Sequence, residues 1–537
     1  MKVQLMGAAQ AVTGSCYIIT TANARFAIDC GMHQGGSALE KRNFNTSAYN
    51  ASELDFILVT HAHIDHSGLL PRLVKEGFTG PIYCTEATKA LLGIMLQDSA
   101  HIQETEAEWA SRKLQRQGEK PVDPLYTLED AESTLQYLRS TSYNTTFEPT
   151  SGVAVTYRDA GHILGSAFLE LAITEPEGTT KVVFSGDLGR PNALLMNDPS
   201  IPKLKADYLF LESTYGDRDH KNEDTSLEEL ATAIEYSSSR GEKTIFPAFA
   251  VERTQEILMT LHLLHKAGKL PVGIPIYVDS PLAVRATKIF REHPEYLDKE
   301  FSQRLKQGDD PFAIPGLRYI TDVKGSQEIN ETPGPGIIIS ASGMCNAGRI
   351  RHHLRHNLYR EGAAVVFTGY QGVGTPGRKL VDGAKTLNLF GELVYVKAKI
   401  FTIGGFSGHA GQSQILHWVE QIAHPDLRIV LIHGEKNAQQ ALSKLLQSRF
   451  SITPTIPAYL EELELLHGKA VVVHPCQEGI TPPQINWDML YEVTEQNMER
   501  LKKGLPQVRQ RQWPEQVDLR DQLLEMNRQF LHLLSQL

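Results

Sequence analysis

The sequence predicts an α/β protein in which one domain is inserted into another. Three observations predict it. Short apolar runs ending in an acidic residue recur through residues 1–213. From 214 to 392 strand-like and helix-like segments alternate, the pattern of a parallel α/β unit. Strand-like runs return over 393–469, so the first domain resumes, and 470–537 reads as a mainly helical extension.

The elements follow in order. Met1–Gly7 reads as a first strand. Phe26-Ala27-Ile28 leads to Asp29, Phe56-Ile57-Leu58-Val59-Thr60 to His61, Val182-Val183-Phe184 to Asp187, and Tyr208-Leu209-Phe210-Leu211 to Glu212. Such runs are buried strands. Groups just past strand ends are where α/β architectures place their sites. Ser226-x-x-Glu229 is a capping-box pattern that opens a helix through Leu227, Leu230 and Ile234. Thr244–Pro247, Ile276–Val278 and Gly336–Ser340 read as strands, with a helix from about Arg253. Val394-Tyr395-Val396 and Arg428–Ile432 read as strands of the returning first domain. In the tail, Leu519, Leu523, Met526, Phe530, Leu533 and Leu537 make a heptad-like stripe. It fits a helix packed on its own domain, or a homodimer contact. Three heptads are short for an independent coiled coil.

Composition narrows the class. Hydrophobic residues make up 41% and charged residues 22%, which fits a soluble globular protein. No apolar run has transmembrane length and the start lacks a signal-peptide stretch, so the expectation is a cytoplasmic protein with no membrane partner. The five cysteines, Cys16, Cys30, Cys84, Cys345 and Cys476, are too scattered for a disulfide framework or a thiolate zinc site. A formal charge of −10 argues against a broadly basic nucleic-acid binder but leaves room for a local basic groove.

The chemistry is concentrated in His61-Ala62-His63-Ile64-Asp65-His66. Imidazole and carboxylate are the ligands zinc prefers after thiolate. Alternate positions of an extended or turning segment point the same way, so His61 and His63 can grip one ion while Asp65 and His66 turn toward a second. Further candidates sit in matching contexts. His162 lies between Gly161 and Gly165, Asp187 between Gly186 and Gly189, and His433 before Gly434. Together they make seven ligands, a suitable number for two zinc ions sharing a water.

These residues carry a resemblance. His61-x-His63-x-Asp65-His66, Gly161-His162, Ser185-Gly186-Asp187 and Asp29-Cys30-Gly31 resemble the metallo-β-lactamase superfamily. Glu212 in Leu211-Glu212-Ser213-Thr214-Tyr215-Gly216, His409 in Ser407-Gly408-His409-Ala410 and His433 in Ile432-His433-Gly434-Glu435 resemble the motifs of its β-CASP group. So do Pro247–Glu256, Val278–Ala283 and Ser340–Met344. The match covers roughly residues 1–465. It implies a metallo-β-lactamase αββα sandwich with an inserted β-CASP domain, and RNA-processing nucleases as kin. It further implies one zinc on His61, His63 and His162 and another on Asp65, His66 and His433. Asp187 bridges them and Asp29 orients a ligand histidine. Mn2+ could substitute for Zn2+, and no organic cofactor is implied. Relatives usually continue the His409 motif with Ala-Asp, whereas this chain has Ala410-Gly411.

The expected activity is hydrolysis of single-stranded RNA. Asp187 and Asp65 serve the metals, and His409, kept charged by Glu212, protonates the leaving oxygen. The alternative for Glu212 and His409 is a buried polar pair that ties the inserted domain down. For RNA and phosphate binding, the candidates are Arg253, Ser342, Arg349 within the basic run to His356, and Tyr370, Gln371, Gly374, Thr375, Arg378 and Lys379. Tyr370 could stack a base. DNA cleavage is the nearer alternative, although β-CASP proteins that act on DNA usually carry Val where this chain has His433. Thioester or lactone hydrolysis needs no insertion of roughly 180 residues between Glu212 and Val394. Internal cleavage is expected ahead of exonuclease action, which would need a pocket for a terminal phosphate.

Overall fold

Residues 1–537 are described by a computed structural model, apart from 117, 221–222, 370, 373, 467–469, 476–486 and 535–537. The chain forms two units, Met1–Cys476 and Gln477–Leu537.

The first six strands lie side by side in chain order: β1 (Lys2–Leu5), β2 (Tyr17–Thr20), β3 (Arg25–Ile28), β4 (Phe56–Leu58), β5 (Ile82–Thr85) and β6 (Leu138–Thr141). A second sheet starts with β7 (Thr146–Thr150), β8 (Val153–Asp159), β9 (Ala167–Glu175), β10 (Gly178–Phe184) and β11 (Tyr208–Glu212). The side-chain period of two decides how the sheets stack. Phe56 and Leu58 of β4, and Tyr208 and Phe210 of β11, enter one core between the sheets, where Phe184 stacks on Phe210 at 4.2 Å. Their neighbours Ile57, Leu209 and Leu211 point outward, under helices. Glu86–Gln115 covers the first sheet, while Gln412–Glu420 and Lys436–Phe450 cover the second. The result is an αββα sandwich.

The inserted sheet holds β12 (Lys243–Pro247), β13 (Ile276–Val278), β14 (Leu317–Tyr319), β15 (Gly336–Ser340) and β16 (Ala364–Phe367). A two-stranded hairpin follows, β17 (Thr386–Leu389) with β18 (Glu392–Tyr395), then β19 (Lys399–Thr402). The six-strand order is β14-β13-β15-β12-β16-β19, and every pairing is parallel. Phe246, Val278 and Ile339 face the helices Arg253–Lys266 and Pro281–Glu292. Ile245, Ile338 and Val365 face Ile350–Asn357 and Pro376–Val381. The first of these cores runs unbroken into the sandwich, so the insertion is packed on its host. The chain then returns through β20 (Arg428–Ile432), parallel to β11, and β21 (Glu462–Glu464), which pairs with β1 and with β22 (Val472–His474).

Two local readings differ. Val394-Tyr395 belongs to the β17–β18 hairpin, and β19 then completes the inserted sheet rather than the sandwich. Apolar alternation alone cannot tell a hairpin from a returning strand. The helix expected from Ser226 begins at Glu223, and Ser226 is buried within it. In the second unit, helices Trp487–Val508 and Trp513–Leu534 form, with Leu519 and Leu523 half-buried and Met526 and Phe530 exposed. Leu537 lies outside the described residues. Among the described residues no helix is long and apolar enough to cross a membrane.

Candidate metal centre

Every candidate ligand follows the C-terminal end of a strand. Asp29 follows β3 and the His61–His66 run follows β4, turning into the short helix Ile64–Ser67. His162 follows β8, Asp187 follows β10, Glu212 ends β11 and His433 follows β20. Gly31 lets the run pack against the first sheet, since a Cβ there would meet the Asp65 carbonyl oxygen at 1.7 Å. Asp29 and His433 both have positive φ, +58° and +46°, a rare backbone for such residues and one concentrated at functional sites.

The side chains converge on two foci. His61, His63, His162 and Asp187 form one group, and Asp65, His66 and His433 another beside Asp187. In the first, His61 Nε2 is 3.1 Å and His162 Nε2 3.3 Å from His63 Nδ1, while Asp187 Oδ2 is 3.6 Å from His61 and 3.7 Å from His162. Donors at about 2.0–2.1 Å from a tetrahedral ion stand about 3.3–3.4 Å apart. The four separations, 3.1–3.7 Å, bracket that spacing, so these atoms are close enough to share one zinc-sized ion. In the second group, His66 Nε2 lies 3.3 Å from His433 Nε2 and 3.4 Å from Asp187 Oδ2, and Asp65 Oδ2 is 3.7 Å from His433. Asp187 Oδ1 is buried with no hydrogen-bond partner, although His433 Nδ1 stands 3.3 Å away. A buried carboxylate oxygen left in this state is expected to have a ligand. The donor set fits two divalent cations.

Groups around the ligands fix the tautomers, as ligand histidines require. Asp29 accepts from His66 Nδ1 at 2.7 Å, from the Thr60 amide at 2.7 Å and from the Thr60 hydroxyl at 2.8 Å. Thr60 Oγ1 in turn lies 3.1 Å from His61 Nδ1. His162 Nδ1 donates to the Gly408 carbonyl at 3.0 Å, and His433 Nδ1 is 3.0 Å from Thr214 Oγ1. Each arrangement leaves the opposite ring nitrogen for an ion. Burial pushes His61 and His162 well below the usual imidazole range and His63 down to about 4. These rings are thus neutral, with lone pairs available at pH 7. Burial works to raise Asp187 as well, but His433, His66 and His409 hold it well below the usual carboxylate range.

Glu212 and His409 meet beside this centre. Glu212 is fully buried and accepts from the Leu188 amide at 2.6 Å. Its Oε1 is 3.4 Å from His409 Nδ1. The His409 side chain is 22% exposed, so one edge reaches the opening while Nδ1 stays with the carboxylate. Burial lowers the imidazole, but Glu212 and Asp187 outweigh it and raise His409 to about 9. At Gly411 the space of the usual carboxylate is taken. A Cβ there would stand 2.9 Å from Asp219 Oδ1, and the neighbouring His220 donates to the His409 carbonyl at 2.9 Å.

A buried charge network that sequence reading misses joins the sandwich to the insertion. Arg190 donates to Glu256 at 2.6 Å and to the Gly405 carbonyl, and Arg253 pairs with the same Glu256. Arg253 and Glu256 belong to the Pro247–Glu256 motif, but Arg190 and Gly405 lie on segments far from it in sequence, and nothing in the sequence shows that they meet. Glu256→Ala leaves two buried guanidiniums facing each other. An expected loss of about 3–5 kcal/mol, read from urea unfolding, would show that the network ties the domains. Beside it, burial and Glu256 push Glu252 up to about 8, against Arg253 and Arg190. Between pH 4.5 and 8 the folded chain holds a proton that the unfolded chain has lost, so stability falls as pH rises across that window. Glu252→Gln should flatten this fall. Urea midpoints of the chelated proteins at pH 6 and 9 check it, and equal slopes would contradict it.

The predicted RNA-binding residues are only partly brought together. Arg253 sits next to the centre, with Nη2 3.7 Å from where a Cβ on Gly408 would stand. Gln371 donates to the Gly343 carbonyl at 3.1 Å, joining the loops after β16 and β15. Ser342 braces its own loop through Ala347. Thr375 caps the helix Pro376–Val381, and Arg378 of that helix pairs with Asp382 at 2.9 Å. Gly374 and Lys379 are exposed. Tyr370 lies outside the described residues. Arg349 departs most from the expected basic face. It donates to Asp279 at 2.7 Å and to the Thr321 carbonyl, and His353 is buried against the same Asp279 at 2.6 Å. Positions four apart share a helix face, and this one turns toward the sheet.

Comparison with known proteins agrees with this architecture. Residues 9–166 match the metallo-beta-lactamase superfamily, 254–380 the Beta-Casp domain, and 394–457 the Zn-dependent metallo-hydrolase RNA specificity domain. Ribonuclease TTHA0252 of Thermus thermophilus is 37% identical over 449 residues, covering 84% of this chain and 96% of its own. Transcription termination factor FttA of Methanocaldococcus jannaschii is 29% identical over 476 residues, covering 87% of this chain and 72% of its own. With the sandwich, the inserted sheet and the metal-ligand cluster in place, the chain belongs to the β-CASP family of the metallo-β-lactamase superfamily.

Proposed function

We propose that this chain is a ribonuclease that hydrolyses phosphodiester bonds of single-stranded RNA with two zinc ions. The observation that carries the reading is one cluster: seven ligand side chains in two groups, with the Glu212–His409 pair 3.4 Å apart at its open edge. His61, His63 and His162 would hold one ion, Asp65, His66 and His433 the other, and Asp187 both. Bound cations supply charge neutralisation at phosphorus and a water of lowered pKa. The protein does the rest. Asp29, Thr60 and Thr214 orient the rings, and burial keeps His61, His63 and His162 neutral. His409 donates a proton to the leaving oxygen, and Glu212 keeps it charged until then. The name of the Thermus thermophilus relative, a ribonuclease, and the match to an RNA specificity domain support RNA as the substrate, and so does His433 at the last ligand position. Matched single-stranded RNA and DNA oligonucleotides, each also as a duplex, test the substrate. The reading expects cleavage of single-stranded RNA well ahead of the others, and preference for DNA would overturn it.

A further inference from the structure

The inserted sheet reverses its winding between two neighbouring strands. β12 and β15 pair from Lys243↔Gly336 to Pro247↔Ser340. The helix after β12, Arg253–Lys266, packs on the face of Phe246 and Ile339. The helix after β15, Ile350–Asn357, packs on the opposite face with Ile245 and Ile338. Chains leaving adjacent strand ends in opposite directions open a crevice, the place where sheets of this kind take ligands.

One aromatic ring stands there without cover. Phe249 is 41% exposed although Ala248, Ala250 and Val251 around it are buried. Its ring lies against Gly343 across the crevice, where a Cβ would meet Cδ2 and Cε2 at 3.0 and 3.1 Å. The segment is held in a costly shape. Glu252 has φ +71° and ψ −65°, and the Arg253 amide donates to the Val251 carbonyl at 3.0 Å, closing a strained γ-turn. That turn starts the helix that carries Arg253, whose Nη2 reaches the Gly408 loop beside His409. Arg253 is buried and paired with Glu256 through Nη1, while its Nε lacks a hydrogen-bond partner. The exposed ring thus stands four residues before a guanidinium that reaches the edge of the metal centre.

We infer that Phe249 is the stacking platform for an unpaired base next to the scissile phosphate, and that Arg253 takes the neighbouring phosphate. The inference rests on the proposed ribonuclease activity and adds the source of its single-strand preference. A base held in a duplex must give up pairing and stacking, at a cost in free energy, to cover Phe249. Stacking on an aromatic side chain is tolerant of sequence, so the platform selects unpaired nucleotides rather than particular bases.

Phe249→Ala and Phe249→Tyr test it on a short RNA whose cleavage position has been mapped with the wild-type holoenzyme. The same RNA is made with an abasic ribose on one side or the other of that position. Binding of fluorescein-labelled oligouridylate to the chelated proteins is measured in parallel. Phe249→Ala is expected to weaken binding and raise KM by about 5- to 150-fold, with a smaller effect on kcat, and Phe249→Tyr to restore both. An abasic site on one side should cost the wild type a similar factor and the Ala variant almost nothing. Unchanged KM and binding in Phe249→Ala, or equal abasic penalties in both proteins, would overturn the inference while RNA cleavage by the wild type stands. A wild type that neither binds nor cleaves RNA would remove the ribonuclease reading itself.

Discussion

Asp187→Ala is expected to abolish RNA hydrolysis while the fold persists. Asp187 lies within 3.3–3.7 Å of four imidazoles, those of His61, His66, His162 and His433. Among the described residues it is the carboxylate that stands beside both ligand groups. Its loss opens a corner of each, so both ions bind more weakly, beyond the 10–100-fold typical of losing an orienting partner. Each ion supplies several kcal/mol of charge stabilisation, and every 1.4 kcal/mol is tenfold, so kcat should fall by more than about a thousandfold. Global stability should survive, because the sandwich core of Phe56, Leu58, Phe184 and Phe210 does not depend on the carboxylate. Elemental analysis, circular dichroism and RNA cleavage on the same preparation separate the outcomes. A folded Asp187→Ala protein with two tightly bound ions and full activity would contradict the assignment. Asp187→Asn, which keeps the shape and loses the charge, should fail in the same way.

His409→Ala is expected to lose about 10²- to 10⁴-fold in kcat with its metal content unchanged. The ring belongs to neither metal group, and its Nδ1 is 3.4 Å from Glu212. If it protonates the leaving oxygen, a substrate that needs no proton should bypass the defect. RNA with a bridging sulfur as the leaving atom provides that case, and on it His409→Ala should approach the wild type. An equal deficit on both substrates would reduce the residue to a structural tie. The pH profile gives a second check. The protonated ring is the active form, so activity is present below its pKa and is lost as pH rises through it. Glu212 and Asp187 raise that value to about 9, and bound cations act in the opposite direction, so the alkaline limb of the loaded enzyme lies below 9. Glu212→Gln should move the limb further down.

The candidate metal-ligating cluster is legible in the sequence because its chemistry is local. A strand of apolar residues fixes where its end lies, and a His or Asp at that end has few other uses. Asp29 is readable for the same reason, although its grip on Thr60 and His66 is not. Charged residues on helices are harder to read. Arg349 and His353 look like part of a basic face, yet a 3.6-residue period turns both inward onto Asp279. The Arg190–Glu256 pair joins residues 66 positions apart, and each alone resembles a surface charge. The return to the sandwich after the insertion is obscured because Val394-Tyr395 alternates equally well as one arm of a hairpin. The Gly411 departure becomes intelligible only in three dimensions, where Asp219 stands within 2.9 Å of the missing Cβ.

The most direct test is a zinc titration of the chelated protein, following cleavage of end-labelled single-stranded RNA. Two ligand groups with Asp187 beside both predict activity that rises from nothing and reaches its plateau at two ions per chain. RNA that stays intact with both sites filled, or cleavage at full rate by the metal-free protein, would contradict a two-metal ribonuclease.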